Sequence, residues 1–176
     1  QYQMLKNPII QNWLQQQYGM QQNEKLQHIL RLPFFNQNVT LHPLHAISNW
    51  DSHLMQQIHE PLFKENEVTG EIEANLLFHY ETTDYQKWRF ILRKGAYFHH
   101  MKPVCATDIQ FSLERLAQFA KPYFNYEQFE IVHDYEIIIT LSKPFAILPE
   151  LLSSFRTVIL PRDKPDGSIG CGPFML

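Results

Sequence analysis

The sequence predicts an α/β domain in which antiparallel strands dominate. Residues 88–92 alternate apolar and polar side chains, the period of a strand with two unlike faces. Over residues 106–117 the apolar positions recur three and four apart, which predicts a helix with one buried face. Two runs, 128–132 and 135–141, flank His133-Asp134 and indicate a hairpin. This mixture favours an α/β or α+β lobe around one core.

The first 24 residues predict a single helix. Asn7 is a suitable N-cap, Pro8 suits the first helical position, and Gly19 suits the residue after the helix. The polar face is rich in glutamine, which is a good helix former. We interpret residues 1–24 as a linker helix from an upstream segment, and residues 25–176 as the lobe.

Within the lobe, the sequence predicts a capped helix near residue 50. Ser48 and Asp51 resemble a capping box with Asp in place of Glu, and Pro61 requires the helix to end before Glu60. The apolar face that we expect to be buried consists of Trp50, Leu54, Met55 and Ile58.

The other predicted elements are short. A turn is expected at Gly70, and Pro149 can open a helix of one or two turns that carries Leu152. The predicted strands, besides 88–92 and the hairpin, are 28–35, 62–65, 76–81, 96–99 and 157–160.

Composition limits the classes of function. With 176 residues, of which 44% are hydrophobic, the chain can form one domain with a sizeable core. A net charge of -3 argues against a nucleic-acid surface, which needs clustered Lys and Arg. No apolar run approaches the roughly 18 residues of a membrane span, and the first residues lack a signal peptide and a lipid-acceptor cysteine.

No motif for catalysis or metal binding is present in the sequence. Cys105 and Cys171 have no metal spacing, and both a disulfide between them and two free thiols remain open. The glycines at 167, 170 and 172 lack the Lys-Ser/Thr of a phosphate loop, so they predict a turn. We therefore expect no enzyme, no cofactor and no metal site. The same expectation covers the histidines without ligand spacing: His42, His45, His53, His59, His99 and His100.

Four motifs, in order, resemble the peptide- and nickel-type extracellular solute-binding proteins of family 5. They are HPLHA, QIHEPLF, the LRKG strand with its loop into DIQFSLERL, and VILPRD followed by SIGCGPF. The resemblance implies a periplasmic-binding-protein-like class II clamshell with the ligand between two lobes. This chain would then be a fragment that holds most of the first lobe. In the family, Pro61 and Asp108 match positions that we interpret as structural.

The same resemblance implies where a ligand would bind. In the family's geometry, the loop after the first strand and the N-terminus of the first lobe helix face the cleft. Those positions correspond here to His45, Asn49 and Trp50, which we expect to contact a small-molecule solute.

Three functions fit the resemblance. The segment WRFILRKGAYFHH is similar to regulators that respond to sugar-phosphate stress, which implies a ligand-sensing domain of a cytoplasmic transcriptional regulator that meets DNA only through an upstream domain. The alternative is a lipid-anchored extracellular subunit of a peptide-type ABC importer, partnered by an ABC permease. The ligand would be a sugar phosphate in the first case and an oligopeptide in the second. A third reading is an interaction module with a vestigial cleft.

Overall fold

The computed structural model describes residues 40–46, 48–119 and 124–175. The predicted linker helix and the strand at 28–35 lie outside these residues, so the division at residue 24 stays a prediction. Two short 3-10 segments occur at Pro43–His45 and Phe155–Thr157. The helices are α1 (Asn49–Ile58), α2 (Ala106–Phe119) and α3 (Leu148–Leu151), and the strands are β1 (Phe63–Glu65), β2 (Ile72–Ala74), β3 (Leu77–Thr82), β4 (Lys87–Leu92), β5 (Tyr126–His133) and β6 (Glu136–Leu141).

Four of the strands form one antiparallel sheet in the order β3-β4-β6-β5. In its register Trp88 pairs with Ile139, and Ile139 pairs with Phe129 on the other side. Strands β1 and β2 form a separate two-stranded hairpin. The predicted antiparallel character and the strands near 62–65, 76–81 and 88–92 are therefore confirmed.

The core lies between this sheet and α2, because the apolar faces of both are buried together. Trp88, Phe90 and Leu92 of β4 are buried, as the alternation predicts. Helix α2 packs against β5 and β6 and contributes its predicted stripe to the core. The buried residues of that stripe are Ile109, Leu113, Leu116 and Ala117.

Helix α1 begins with the predicted capping box. Ser48 Oγ accepts the Asp51 N–H at 3.1 Å, and Asp51 Oδ2 accepts the Ser48 N–H at 3.0 Å. Met55 and Ile58 are buried as expected, but Trp50 is 42% exposed, so the prediction that this helix buries Trp50 is wrong. Asp51 itself is buried at 4% exposure, and a step of about 100° along the helix turns the preceding residue toward solvent.

Two predicted strands do not form. Residues 96–99 contribute only a single bridge, between Tyr97 and Pro103, because the chain turns at 99–100. The segment 157–160 begins in a 3-10 turn and continues as a buried extended run. There the Ile159 N–H donates to Glu60 O at 3.1 Å and the Leu160 N–H donates to Ser112 Oγ at 3.0 Å. Because these partners belong to two different segments, the run does not pair with a neighbouring strand.

The predicted turns are close to the observed ones. Gly70 has φ +72°, which suits glycine, and α3 carries Pro149 in its first turn with the buried Leu152 directly after it. The hairpin turn lies at Asp134-Tyr135, one residue later than predicted, because β5 extends through His133.

Candidate ligand-binding site

The three predicted ligand contacts lie on exposed turns near the start of α1. Asn49 and Trp50 occupy the first helical turn, and His45 ends the 3-10 turn that precedes it. All three are exposed. The His45 ring centroid lies 4.6 Å from that of His42, and the Trp50 ring centroid lies 6.4 Å from that of His53. The structure thus offers an imidazole, an amide and an indole on adjacent turns.

Contacts with distant segments hold these turns in place. The Arg115 guanidinium of α2 donates to His42 Nε2 and, through Nη1, to Pro165 O at 3.0 Å. Arg156 Nη2 donates to Ala46 O at 3.3 Å. Burial, together with the nearby Arg115 cation, lowers the pKa of His42, so this imidazole is neutral and can accept a hydrogen bond. The surface that carries His45 is therefore preorganised, as a binding site requires.

The glycine-rich segment 167–172 packs closely against the C-terminal end of α1. A Cβ on Gly170 would lie 1.9 Å from Ile58 O, and one on Gly172 would lie 2.6 Å from the Ile58 carbonyl carbon. The Gly172 N–H donates to Ile58 O at 2.8 Å. Because its amides serve these internal contacts, the segment is a packing loop and not a phosphate cradle, as the sequence predicts.

Two imidazoles clamp this loop. His59 Nε2 donates to Gly167 O at 3.0 Å, and His99 Nε2 donates to Gly172 O at 3.0 Å. His99 Nδ1 also accepts the Gly170 N–H at 3.3 Å. Burial lowers the pKa of His59 to about 4, so this ring is neutral near pH 7. These two histidines have structural roles, which spacing alone did not assign.

Asp108 organises the start of α2. Its Oδ2 accepts the Cys105 N–H at 3.1 Å, and its Oδ1 accepts the Arg162 N–H, also at 3.1 Å. The carboxylate is buried at 8% exposure and stands in the first turn, where it favours the helix dipole. The Asp108 side chain thus joins the residue before α2 to the distant segment at Arg162, which agrees with the structural interpretation of Asp108.

Both cysteines are free thiols, so the disulfide that the sequence left open is not formed. Burial, and next the hydrogen bond to Asp108, raise the pKa of Cys105. Burial raises the pKa of Cys171 to about 12. Because the thiolate is the reactive form, neither residue is an activated nucleophile.

A feature that sequence reasoning missed is a cavity of about 640 Å³ beside the β1–β2 hairpin. Its walls come from the hairpin, from β3 and from residues 146–153, which are far apart in sequence. No motif signals such a site, since only the fold brings these segments together.

The described ranges contain neither a metal cluster nor a membrane-spanning helix. Within residues 40–46, 48–119 and 124–175, no group of three His, Cys, Asp or Glu side chains is placed to hold a metal ion. In the same ranges, no helix has the length and apolar character needed to cross a bilayer.

Comparison with known proteins identifies the family. The model of the bacterial extracellular solute-binding proteins, family 5 middle, matches residues 41–176. The chain belongs to this family. Over 153 residues it is 32% identical to the HTH-type transcriptional regulator SgrR of Escherichia coli O6:K15:H31 (strain 536 / UPEC), an alignment that covers 84% of this chain and 28% of that protein.

Solved structures of periplasmic binding proteins agree with the fold. The binding protein AgaA of A. tumefaciens R10, in complex with agropinic acid, superposes with a TM-score of 0.70 at 26% identity, over 77% of this chain and 30% of that one. The periplasmic binding protein DppA of Helicobacter pylori, in complex with the peptide STSA, gives 0.68 at 25% identity, over 77% and 34%. The predicted α/β fold of periplasmic-binding-protein type is confirmed, and the chain spans about a third or less of these relatives.

Proposed function

We propose that this chain is the ligand-sensing part of a cytoplasmic transcriptional regulator and binds a small solute in a cleft between two lobes. The similarity to SgrR over 84% of the chain carries the proposal. In this account DNA is contacted only by a part of the protein outside this sequence. The chain performs no chemistry, and a bound solute acts by favouring one of two conformations of the regulator.

One wall of the cleft consists of His45, Asn49 and Trp50. Ligand sites combine apolar surface with a few placed polar groups, and this wall has an indole beside an amide and an imidazole. The indole can stack against a sugar ring, while the amide and imidazole can donate hydrogen bonds to hydroxyl or phosphate oxygens. These properties support a sugar phosphate as the ligand class.

The second candidate is the substrate-binding subunit of a peptide-type ABC importer, outside the cell and anchored by lipid. The complexes of AgaA with agropinic acid and of DppA with a peptide favour this candidate, since both proteins share the fold. The two unbridged cysteines favour the regulator, because thiols persist in a reducing cytoplasm. The third hypothesis is an interaction module with a vestigial cleft, which would bind no small-molecule ligand.

Thermal unfolding of the full-length protein separates the three candidates. A ligand that binds only the folded state stabilises it by RT ln(1 + [L]/Kd), about 2.7 kcal/mol at a hundredfold excess over Kd. We expect glucose 6-phosphate to raise the midpoint, with the peptide STSA inactive. A response to the peptide alone would favour the importer. An unchanged unfolding midpoint with both compounds would favour the interaction module.

A further inference from the structure

The cavity beside the β1–β2 hairpin is lined by apolar side chains and by three carboxylates. It has a volume of about 640 Å³, within the usual range of ligand pockets. Its lining includes the apolar residues Ile72, Tyr80, Ala146 and Pro149 and three glutamates, Glu65, Glu71 and Glu150, which we call the rim. Gly70 and Ser153 are also part of the lining. We propose that this cavity binds an arginine side chain presented by a peptide segment of a partner protein.

The three rim carboxylates come from separate elements and are unpaired. Glu65 ends β1, Glu71 precedes β2, and Glu150 lies in α3. Their side chains make no ion pair or hydrogen bond with any part of the chain that the structure describes. Glu73, on the same hairpin, is by contrast bonded to Asn66 Nδ2 at 2.6 Å. The rim thus presents three carboxylates that no described residue neutralises through an ion pair.

The walls of the cavity are held in place. Tyr80 packs edge-on against Phe63 with ring centroids 4.9 Å apart, and stacks on Trp88 with centroids 6.5 Å apart and ring planes inclined by 24°. The Phe63 N–H donates to Leu152 O at 3.3 Å, which ties the hairpin to the segment after α3. Asn66 Oδ1 accepts the Val68 N–H at 2.9 Å and orders the hairpin turn. Because these contacts fix the walls, an incoming group meets a formed site and loses less conformational entropy.

Charge and shape together favour a guanidinium group. No lysine or arginine is among the described residues that line the cavity, so the charge complement must come from the occupant. A guanidinium group is planar, weakly hydrated and able to stack on an aromatic face, and it pairs with carboxylates through two parallel hydrogen bonds. Tyr80 supplies the aromatic face and the glutamates supply the carboxylates.

This site is independent of the proposed solute site, because none of His45, Asn49 and Trp50 lines it. Its experiment therefore uses a different probe. Fluorescence anisotropy of a fluorescein-labelled peptide of alternating glycine and arginine, titrated with the full-length protein, should show saturable binding. The binding should weaken with added salt, because the Debye length falls from about 10 Å at 0.1 M to about 3 Å at 1 M.

Substitutions at the rim give the decisive comparison. The triple variant Glu65→Gln, Glu71→Gln, Glu150→Gln should bind the arginine peptide about tenfold more weakly, in line with the modest worth of each exposed pair. Glu67→Gln is the matched control, since Glu67 is exposed on the same hairpin but does not line the cavity, and it should bind as the wild type does. Thermal unfolding of each variant checks that the fold is retained.

The proposal is wrong if the arginine peptide does not bind, or if the folded triple variant binds it with wild-type affinity. It is also wrong if Glu67→Gln loses as much affinity as the triple variant. Equal affinity for a matching lysine peptide would contradict the assignment of a guanidinium group.

Discussion

His59 Nε2 donates a hydrogen bond to the carbonyl oxygen of Gly167 across 3.0 Å, and the imidazole is 1% exposed. A carbonyl oxygen only accepts, so the contact fixes the proton on Nε2 and leaves Nδ1 without one. Nδ1 is buried and has no partner among the described residues. The ring therefore joins the end of α1 to the glycine-rich loop in its neutral form, and protonation requires a buried charge.

This contact predicts a loss of stability in mild acid. The folded-state pKa of His59 is about 4, below the ordinary value of 6.5, so the unfolded chain takes up a proton first as the pH falls. The stabilising contribution of neutral His59 is complete above pH 6.5 and is lost progressively between pH 6.5 and 4, by about 3 kcal/mol in all. Urea unfolding at a series of pH values measures this slope.

Two histidine variants show whether His59 causes this pH dependence. His59→Gln should make the free energy of unfolding nearly constant between pH 7 and 5. His79→Gln, at an exposed strand position, is the control and should keep the wild-type pH dependence. An unchanged slope in His59→Gln would show that other groups dominate.

Adding a methyl group at Gly170, in the glycine-rich loop, should destabilise the fold more than adding one at Gly95, in a turn. A Cβ on Gly170 would meet Ile58 O at 1.9 Å and His59 Nδ1 at 2.7 Å, so Gly170→Ala should destabilise the fold by about 3 kcal/mol. Gly95 has open space but φ +97°, so Gly95→Ala should cost only about 1 kcal/mol. Chemical denaturation of both variants tests the order, and a smaller effect at Gly170 would contradict the packing described.

A further prediction concerns Asp108 at the start of α2. Asp108→Asn removes the charge from a buried group that accepts the N–H groups of Cys105 and Arg162, so we expect a loss of about 2 kcal/mol. Asp134→Asn, in the exposed hairpin turn, is the control and should be neutral. Equal unfolding midpoints for the two variants would mean that Asp108 does not organise the helix start.

Sequence patterns correctly predicted the elements that depend on residues close together in the chain. The alternation in β4, the Ser48–Asp51 capping box and the spacing in α2 each depend on residues close in sequence, and each is confirmed. The strand predicted at 157–160 is wrong because its backbone partners, Glu60 O and Ser112 Oγ, come from distant segments that no local pattern reveals.

The candidate sites also depend on contacts between segments that are distant in sequence. The apolar pattern counted Trp50 as a core residue, but the inward carboxylate of Asp51 leaves that indole exposed, which suits a ligand contact. The roles of His45, Asn49 and Trp50 in binding stay a prediction, and they came from the family resemblance. The cavity beside the hairpin was beyond prediction because its walls meet only in the folded chain.

The most direct test of the proposed sensor role uses Trp50. Calorimetric titration of the full-length protein with glucose 6-phosphate should give saturable binding, and Trp50→Ala should weaken it at least about tenfold, because the variant lacks the indole that we expect to contact the ligand. Thermal unfolding of the variant checks that the fold is retained. Wild-type affinity in the variant, or no heat of binding in either protein, would contradict the account.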